Sequence, residues 1–112
     1  MPAPIHGEVW LVDFGRTVGR EQAGLRPALI VSPNRFNQGP LVIVVPFTTT
    51  ERRSPLHLRV APPSGGLREV SFAMCEQIRS LSRERLREPW GRVEGEVLRE
   101  VVASLRLLVR NA

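Results

Sequence analysis

The chain has 112 residues, which is long enough for one domain with a single modest core and too short for two. Hydrophobic residues make up 42% of it and charged residues 24%, as in ordinary soluble globular proteins, and no apolar run approaches the ~20 residues that a membrane span needs. The formal net charge is +5 and every basic residue is an arginine, so the first partner to consider is nucleic acid, because the planar guanidinium suits phosphate.

The first third of the chain predicts two strands joined by a long loop. His6 to Phe14, HGEVWLVDF, is typical of a strand that places Trp10, Val12 and Phe14 on one face toward a barrel-like core. The loop GRTVGREQAG, Gly15 to Gly24, is longer than an ordinary hairpin connection, and long loops are often functional. RPALIVSP, Arg26 to Pro33, then predicts a second strand.

The rest of the chain predicts further short strands and one helix. LVIVVPFTTT gives a third strand that Pro46 is expected to break or bulge, LHLRV a fourth, REVSFAMCEQIRSL a fifth that runs into a turn, and WGRV a last short one. Ser82 is the predicted N-cap of a helical turn. From Glu94 onward apolar residues recur at helical spacing. We therefore predict a single domain over residues 1–112 of mainly β (α+β) class, a small antiparallel barrel of five or six strands with a C-terminal helix.

Cys75 is the only cysteine, so the chain forms no internal disulfide, which agrees with a reducing compartment. Together with the absence of a charged and then apolar leader, this predicts a cytoplasmic protein with no membrane contact. We interpret Cys75 as a small buried hydrophobe. Histidine and acidic residues show no ligand spacing, so we expect neither a metal site nor a cofactor.

The usual enzymatic motifs are mostly missing, which directs attention to phosphate chemistry. His6 and His57 stand in unrelated contexts, and there is no nucleophile-elbow serine and no phosphate-binding glycine loop. RNA carries its own nucleophile, the ribose 2′-hydroxyl, so an enzyme that cleaves it needs chiefly to position the chain and stabilise charge on phosphorus. Arg26, Thr48 and Glu76 stand at predicted strand ends and supply a bidentate donor, a hydroxyl and a carboxylate.

Each of these residues also has a simpler explanation. Arg26 would serve equally well as a structural bridge to Glu21 or Glu76, and threonine at a strand end is explained by β-propensity alone. Trp10 is typical of a core residue. Phe47, beside Thr48, is better placed to stack on an unpaired base.

The segments GEVWLVDF, GREQAGLRPALIVSP, VVPFTTT and CEQIRSL, in this order and spacing, resemble the MazF/PemK/Kid family of toxin endoribonucleases from toxin–antitoxin systems. The resemblance extends from Gly7 to the C-terminal helix. It implies an SH3-like, CcdB/PemK-like barrel that forms homodimers, and metal-independent, sequence-specific cleavage of single-stranded RNA to 2′,3′-cyclic phosphate and 5′-hydroxyl ends. It also implies a cognate MazE-like antitoxin, usually acidic, that covers the RNA groove.

The resemblance implies roles for nine residues. Arg26 and Thr48 are the catalytic residues, with Glu76 in a less certain catalytic role, and the expected RNA-binding residues are Glu21, Gln22, Phe47, Thr49, Gln77 and Arg79. The sequence departs from the family pattern at two places. Met74 stands where some members have an arginine with a proposed part in catalysis, and the first loop lacks the histidine that assists in others. An arginine is a poor general base, so charge stabilisation and proton donation to the leaving oxygen are the easier roles for Arg26.

Two alternatives remain on the sequence alone. One is a CcdB-like toxin that shares the barrel and binds DNA gyrase without cleaving nucleic acid, although the retained Arg26 and Thr48 argue against it. The other is an inactive relative that only binds RNA or an antitoxin. The RNA recognition sequence and the group that deprotonates the 2′-hydroxyl are not encoded in any recognisable motif.

Overall fold

The structure, a computed structural model, describes residues 2–16, 19 and 23–110. Glu21 and Gln22, two of the expected RNA-binding residues, lie outside the described residues. Seven strands precede one helix: β1 Glu8–Asp13, β2 Leu25–Ile30, β3 Leu41–Thr48, β4 His57–Val60, β5 Ser71–Met74, β6 Arg79–Ser82, β7 Leu86–Arg92 and α1 Gly95–Val109.

The strands pair antiparallel in the order β4-β5-β3-β2-β1-β7, and β6 pairs with β3 off this path. The mainly β architecture with a C-terminal helix is confirmed. The pairings among the described residues form an open path, so the expected barrel is not closed by hydrogen bonding between β4 and β7. No helix in the described part of the chain is long and apolar enough to cross a membrane.

The predicted number of strands was too low because the segment after Met74 folds back. A 3-10 turn over Cys75–Gln77 ends β5 and redirects the chain, and Arg79–Ser82 then pairs with β3 as a separate strand. The last strand is also longer than WGRV, since it begins at Leu86. The Ser82 cap is confirmed, because its hydroxyl accepts a hydrogen bond from the Glu84 amide at 3.2 Å.

Pro46 neither breaks β3 nor ends it, contrary to the sequence prediction. β3 pairs along one edge with β6 through residues 41–44 and with β5 through residues 47 and 48. Pro46 falls between these two partners on that edge, while on the other edge it pairs with Ala28 of β2. The proline therefore marks the point at which β3 changes partner.

Two hydrophobic cores lie on opposite faces of the sheet, because successive side chains of a strand alternate between faces. The strand-side core contains the predicted set Trp10, Val12 and Phe14, all at most 2% exposed. The helix-side core contains Val9 and is covered by α1, whose Val101 is fully buried. The helix begins after Glu94, as predicted.

Phe47 belongs to the helix-side core and is 1% exposed. The expectation that it stacks on an RNA base is wrong in this fold, because neither face of its ring reaches solvent. Position beside Thr48 misled the prediction, since adjacent strand residues point to opposite faces.

A glycine seam, Gly65, Gly66 and Gly91, closes the helix-side core. Gly65 and Gly66 have φ of +63° and +68°, and a Cβ on Gly66 would lie 2.1 Å from the carbonyl oxygen of Trp90. A Cβ on Gly65 would lie 2.5 Å from Val9 Cγ2. The loop that contains Gly65 and Gly66 therefore crosses β7 so closely that only glycine fits at these positions.

Candidate active site

The register of β2 and β3 places the two main sequence candidates at one end of the sheet. Ala28 is the outermost residue of β2 that pairs with β3, opposite Pro46, and Arg26 and Thr48 each lie two residues beyond this pair, on the face that Ala28 and Pro46 share. Arg26 is exposed and Thr48 is half-buried. Both residues therefore lie on the strand-side face, beyond its buried residues, where solvent reaches them.

The Arg26 guanidinium carries no ion pair with any residue that the structure describes. Its Nε donates a hydrogen bond to the Ala23 carbonyl at 3.3 Å, which turns the side chain back over its own loop. The suggested bridge to Glu76 is absent, because that carboxylate pairs with His57 instead. The alternative bridge to Glu21 lies outside the described residues.

A cleft of about 620 Å³ begins at Thr48 and ends at Glu76. It is lined by Thr48, Arg52, Ser54, Leu56, His57, Met74, Glu76 and Gln77. Three of the nine sequence-predicted residues thus meet at one cavity, while Arg26 is not part of its lining. The Thr48 hydroxyl accepts a hydrogen bond from the Thr50 amide at 3.2 Å, and Thr49 is exposed beside it.

His57 and Glu76 form a pair that sequence reasoning missed. His57 Nε2 lies 2.7 Å from Glu76 Oε2, and the His57 side chain is 5% exposed against 37% for Glu76. The β4–β5 register, in which His57 faces Met74, brings these residues together across nineteen positions. His6 and His57 do lie in different surroundings, but no local motif indicates the contact between His57 and Glu76, since LHLRV shows only an ordinary half-exposed strand.

Met74 occupies the place where some members of the family have an arginine, and it forms part of the cleft wall with 6% exposure. The wall is apolar at this point, as it also is at Leu56. The cleft therefore combines an apolar wall with a carboxylate, an amide and a hydroxyl, which is typical of a site for a planar polar ligand.

Arg79 approaches the loop that leads into Arg26. Its guanidinium carbon lies 5.5 Å from the centroid of the Phe14 ring, and Phe14 N donates to the Gly24 carbonyl at 2.9 Å. Nη1 of Arg79 is buried and has no hydrogen-bond partner among the described residues. A second guanidinium thus lies near the end of the sheet that carries Arg26.

The other end of that loop is fixed by Asp13. Its carboxylate accepts hydrogen bonds from the Gly15 amide at 2.8 Å and from Arg87 at 3.0 Å, and these contacts hold the pKa of Asp13 below its usual value, the Gly15 amide contributing most. Arg85 also donates to the Asp13 carbonyl at 3.1 Å. The loop therefore begins at an ion pair that holds its first residues on β7.

Cys75 lies directly behind the cleft in the helix-side core and is fully buried, so its interpretation as a small hydrophobe is confirmed. Burial and, to a lesser extent, the neighbouring Glu76 charge raise the pKa of the thiol to about 11. No three histidine, cysteine or acidic side chains come together as metal ligands in residues 2–16, 19 and 23–110.

These groups fit chemistry on a phosphodiester. Guanidinium and hydroxyl donors at the β2–β3 end are suited to phosphate oxygens, and the cleft next to Thr48 has room for the attached nucleoside. Glu76 adds a hydrogen-bond acceptor on the far wall. The arrangement thus has donors suited to phosphate at one end and an acceptor suited to a base at the other.

Comparison with known proteins agrees with this arrangement. Residues 5–109 match the family described as "PemK-like, MazF-like toxin of type II toxin-antitoxin system". The chain is 34% identical over 108 residues to an endoribonuclease MazF9 of Mycobacterium tuberculosis, with 90% of this chain and 92% of the relative covered.

Solved structures show the same fold. A MazF from Deinococcus radiodurans superposes with a TM-score of 0.85 at 29% identity, covering 97% of this chain and 98% of that one. An endoribonuclease from a mycobacterial species, solved in complex with its cognate antitoxin, superposes with a TM-score of 0.80 at 26% identity, covering 98% and 100%. The family match over residues 5–109, together with the relative of 34% identity, shows that the chain belongs to the PemK-like, MazF-like family of type II toxin–antitoxin toxins.

Proposed function

We propose that this protein is an endoribonuclease toxin that cleaves single-stranded RNA, chiefly mRNA in the cytoplasm, at short sequences and without a metal ion. The 2′-hydroxyl attacks the adjacent phosphorus, the bond to the 5′ oxygen breaks, and the products carry a 2′,3′-cyclic phosphate and a 5′-hydroxyl. The observation that supports this most directly is that Arg26, which forms no ion pair with a described residue, and Thr48 each lie two residues beyond the Ala28–Pro46 pair of β2 and β3.

In this mechanism Arg26 and Thr48 act on the scissile phosphate. The Arg26 guanidinium donates to the nonbridging oxygens, where negative charge grows as the phosphorane forms. The Thr48 hydroxyl donates one further hydrogen bond. Because a bound phosphate is a stronger acceptor than the Ala23 carbonyl, the long 3.3 Å contact of Arg26 is the one that substrate replaces.

A cognate antitoxin neutralises the toxin. The mycobacterial relative is described in complex with its own antitoxin. An acidic antitoxin segment is complementary to a chain of net charge +5, and it would compete with RNA for the same arginines. We also propose that the protein works as a homodimer, as the family resemblance implies, which light scattering coupled to size exclusion measures directly.

The test of the proposed function is cleavage of a long single-stranded RNA in EDTA, with the cut ends mapped by primer extension. We expect discrete cuts whose 5′ ends are phosphorylated by polynucleotide kinase without prior phosphatase, as 5′-hydroxyl ends are. Arg26→Ala and Thr48→Val are expected to abolish the cuts. Arg92→Ala, which removes an equally exposed arginine from β7, is the matched control and retains them.

A cut that requires a divalent ion, or ends that carry a 5′-phosphate, would contradict the mechanism. Gyrase-dependent DNA breaks in the absence of RNA cleavage would instead support the CcdB-like alternative. An unfolded Arg26→Ala variant would show that the arginine is structural, so its melting temperature is measured alongside.

A further inference from the structure

The cleft beside Thr48 has a polar wall whose function the phosphate chemistry does not explain. We propose that Glu76, held in place by His57, reads the base of the nucleotide next to the cut by accepting a hydrogen bond from its exocyclic amino group, so that a base with an amino group is selected there over uracil. This inference rests on the proposed RNA substrate. It assigns a specificity-determining role to Glu76 and a positioning role to His57.

Only one oxygen of the Glu76 carboxylate is engaged. Oε2 lies 2.7 Å from His57 Nε2, while Oε1 has no partner among the described residues and belongs to a side chain that is 37% exposed. Oε1 can therefore accept a hydrogen bond from an exocyclic amino group, which adenine, cytosine and guanine carry and uracil lacks.

His57 is built into the wall as a fixed donor. Its side chain is 5% exposed, and Nδ1 is buried without a partner in the described structure. A proton on Nδ1 would leave a buried N–H unsatisfied, which is costly, so the favoured form carries its proton on Nε2 and donates it to Glu76. Because the His57 ring is buried and its Nε2 contacts Oε2, it restricts the orientation of the Glu76 carboxylate. Without this contact, the exposed Glu76 side chain on the short 3-10 turn would not keep one orientation.

The remaining walls match a planar base. Leu56 and Met74 give the cleft an apolar surface, and a volume of about 620 Å³ exceeds what one base requires. Thr48 lies in the same lining, so a nucleoside in the cleft has its phosphate near the β2–β3 end. Bases of single-stranded RNA are read in this way, by hydrogen bonds to an exposed edge and contact with a flat apolar surface.

The test removes the amino group from the RNA and the carboxylate from the protein in a double-mutant cycle. Once the cut sites are mapped, short substrates are made in which an adenosine, cytidine or guanosine next to the cut is replaced by its analogue without the amino group, which is purine riboside, zebularine or inosine respectively. For the wild type we expect kcat/KM to fall about tenfold, the size of one hydrogen bond to a charged group. For Glu76→Ala we expect the normal and analogue substrates to be cleaved equally well.

Two substitutions test whether the N–H donor of His57 supports the base discrimination by Glu76. His57→Leu removes the donor, and we expect it to lose most of the discrimination between the normal and analogue substrates. His57→Gln keeps an N–H donor and is expected to restore part of it, which a purely structural role would not produce. Melting temperatures of both variants show whether the fold is intact.

Two results would overturn the inference. One is an unchanged penalty for the missing amino group in Glu76→Ala. The other is a loss of kcat in Glu76→Ala on every substrate with KM and discrimination unaltered, which would make Glu76 a proton-transfer residue. If the wild type cleaves no RNA, the proposed function fails separately, and binding of the same oligonucleotides by fluorescence anisotropy still tests whether Glu76 distinguishes the amino group.

Discussion

The glycine seam and the cleft lie on the same half of the molecule and tolerate change in opposite ways. At the seam, backbone meets backbone, and Gly66 leaves no room even for a methyl group. At the cleft, Thr48, His57 and Glu76 surround open space, and their polar atoms contribute little to either core. We therefore expect the seam to determine stability and the cleft to serve the proposed chemistry.

This difference follows from what each region contacts. At a close-packed crossing, any added atom lowers the free energy of unfolding, because the neighbouring atoms belong to the main chain and cannot move aside. A cleft wall faces solvent, so replacing one of its side chains leaves no cavity in a core. We therefore expect substitutions at the seam to destabilise the fold, and substitutions of the exposed polar residues of the cleft to leave the protein folded with altered activity or specificity.

The largest expected effect is that of Gly66→Ala on stability. The new Cβ would lie 2.1 Å from Trp90 O, on a residue with φ of +68°, so the loop or β7 must move. We expect a loss of about 3–5 kcal/mol in the free energy of unfolding, measured by urea denaturation.

Gly24→Ala is the matched control for this prediction. Gly24 also has positive φ, +78°, but nothing lies within 4 Å of its added Cβ. Only backbone strain remains, worth about 1–2 kcal/mol. Equal losses in the two variants would show that strain, and not the close crossing, limits the seam.

The second effect is a separation of activity from stability at Thr48. Thr48→Val keeps the shape of the side chain and removes its hydroxyl, and we expect kcat to fall about 10²–10³-fold, the usual effect of losing one donor to a charged transition state. Thr48→Ser keeps the hydroxyl and should retain most of the activity. Both variants should have melting temperatures within a few degrees of the wild type. A large fall in the melting temperature of Thr48→Val would show that this cleft residue, like the seam, is needed for stability.

The sequence predicted the seam poorly and the cleft in part, for physical reasons. APPSGG is recognisable as a loop, but the need for glycine at residue 66 arises from Trp90, twenty-four positions later, through a crossing that local pattern does not encode. Arg26 and Thr48 were singled out because both stand at strand ends and the resemblance assigns them, and their catalytic roles stay a prediction. His57 was missed because its contact with Glu76 depends on the β4–β5 register.

The fold predictions that were confirmed rest on local sequence patterns, and those that were wrong concern tertiary contacts. Helical spacing after Glu94 and the alternation around Trp10 are local patterns, and both are confirmed. The burial of Phe47 and the extra strand after Cys75 depend on which face α1 covers and where β3 changes partner. Both are set by tertiary packing, which the local sequence pattern does not encode.

A smaller effect concerns the acid sensitivity of the loop anchor at Asp13. Contacts with Gly15 and Arg87 lower the pKa of this carboxylate in the folded protein, so its stabilising contribution is fully present above the ordinary aspartate pKa near 4 and is lost as the pH falls through the lowered value. Asp13→Asn should therefore be less stable than the wild type at pH 7, and the difference should shrink below about pH 4.

Urea titrations between pH 2 and pH 7 measure this difference. Glu100→Gln, an exposed carboxylate on α1 without an ion pair in the described structure, is the control and should show little change at any pH. A difference between Asp13→Asn and the wild type that stays constant across the range would mean that hydrogen bonding of the side chain, and not its charge, anchors the loop.

The smallest effect is on the reactivity of Cys75, which lies between the two regions. The thiol is fully buried with a pKa of about 11, so at pH 8 the folded protein holds almost no accessible thiolate, and a disulfide reagent should label it only through opening of the helix-side core. Labelling should be slow in the wild type and in Glu76→Ala, and faster in Gly66→Ala because that variant opens more often. Rapid labelling of Glu76→Ala would show that the cleft wall also holds the core closed, and the separation between a stabilising seam and a chemical cleft would then fail at the residue where the two meet.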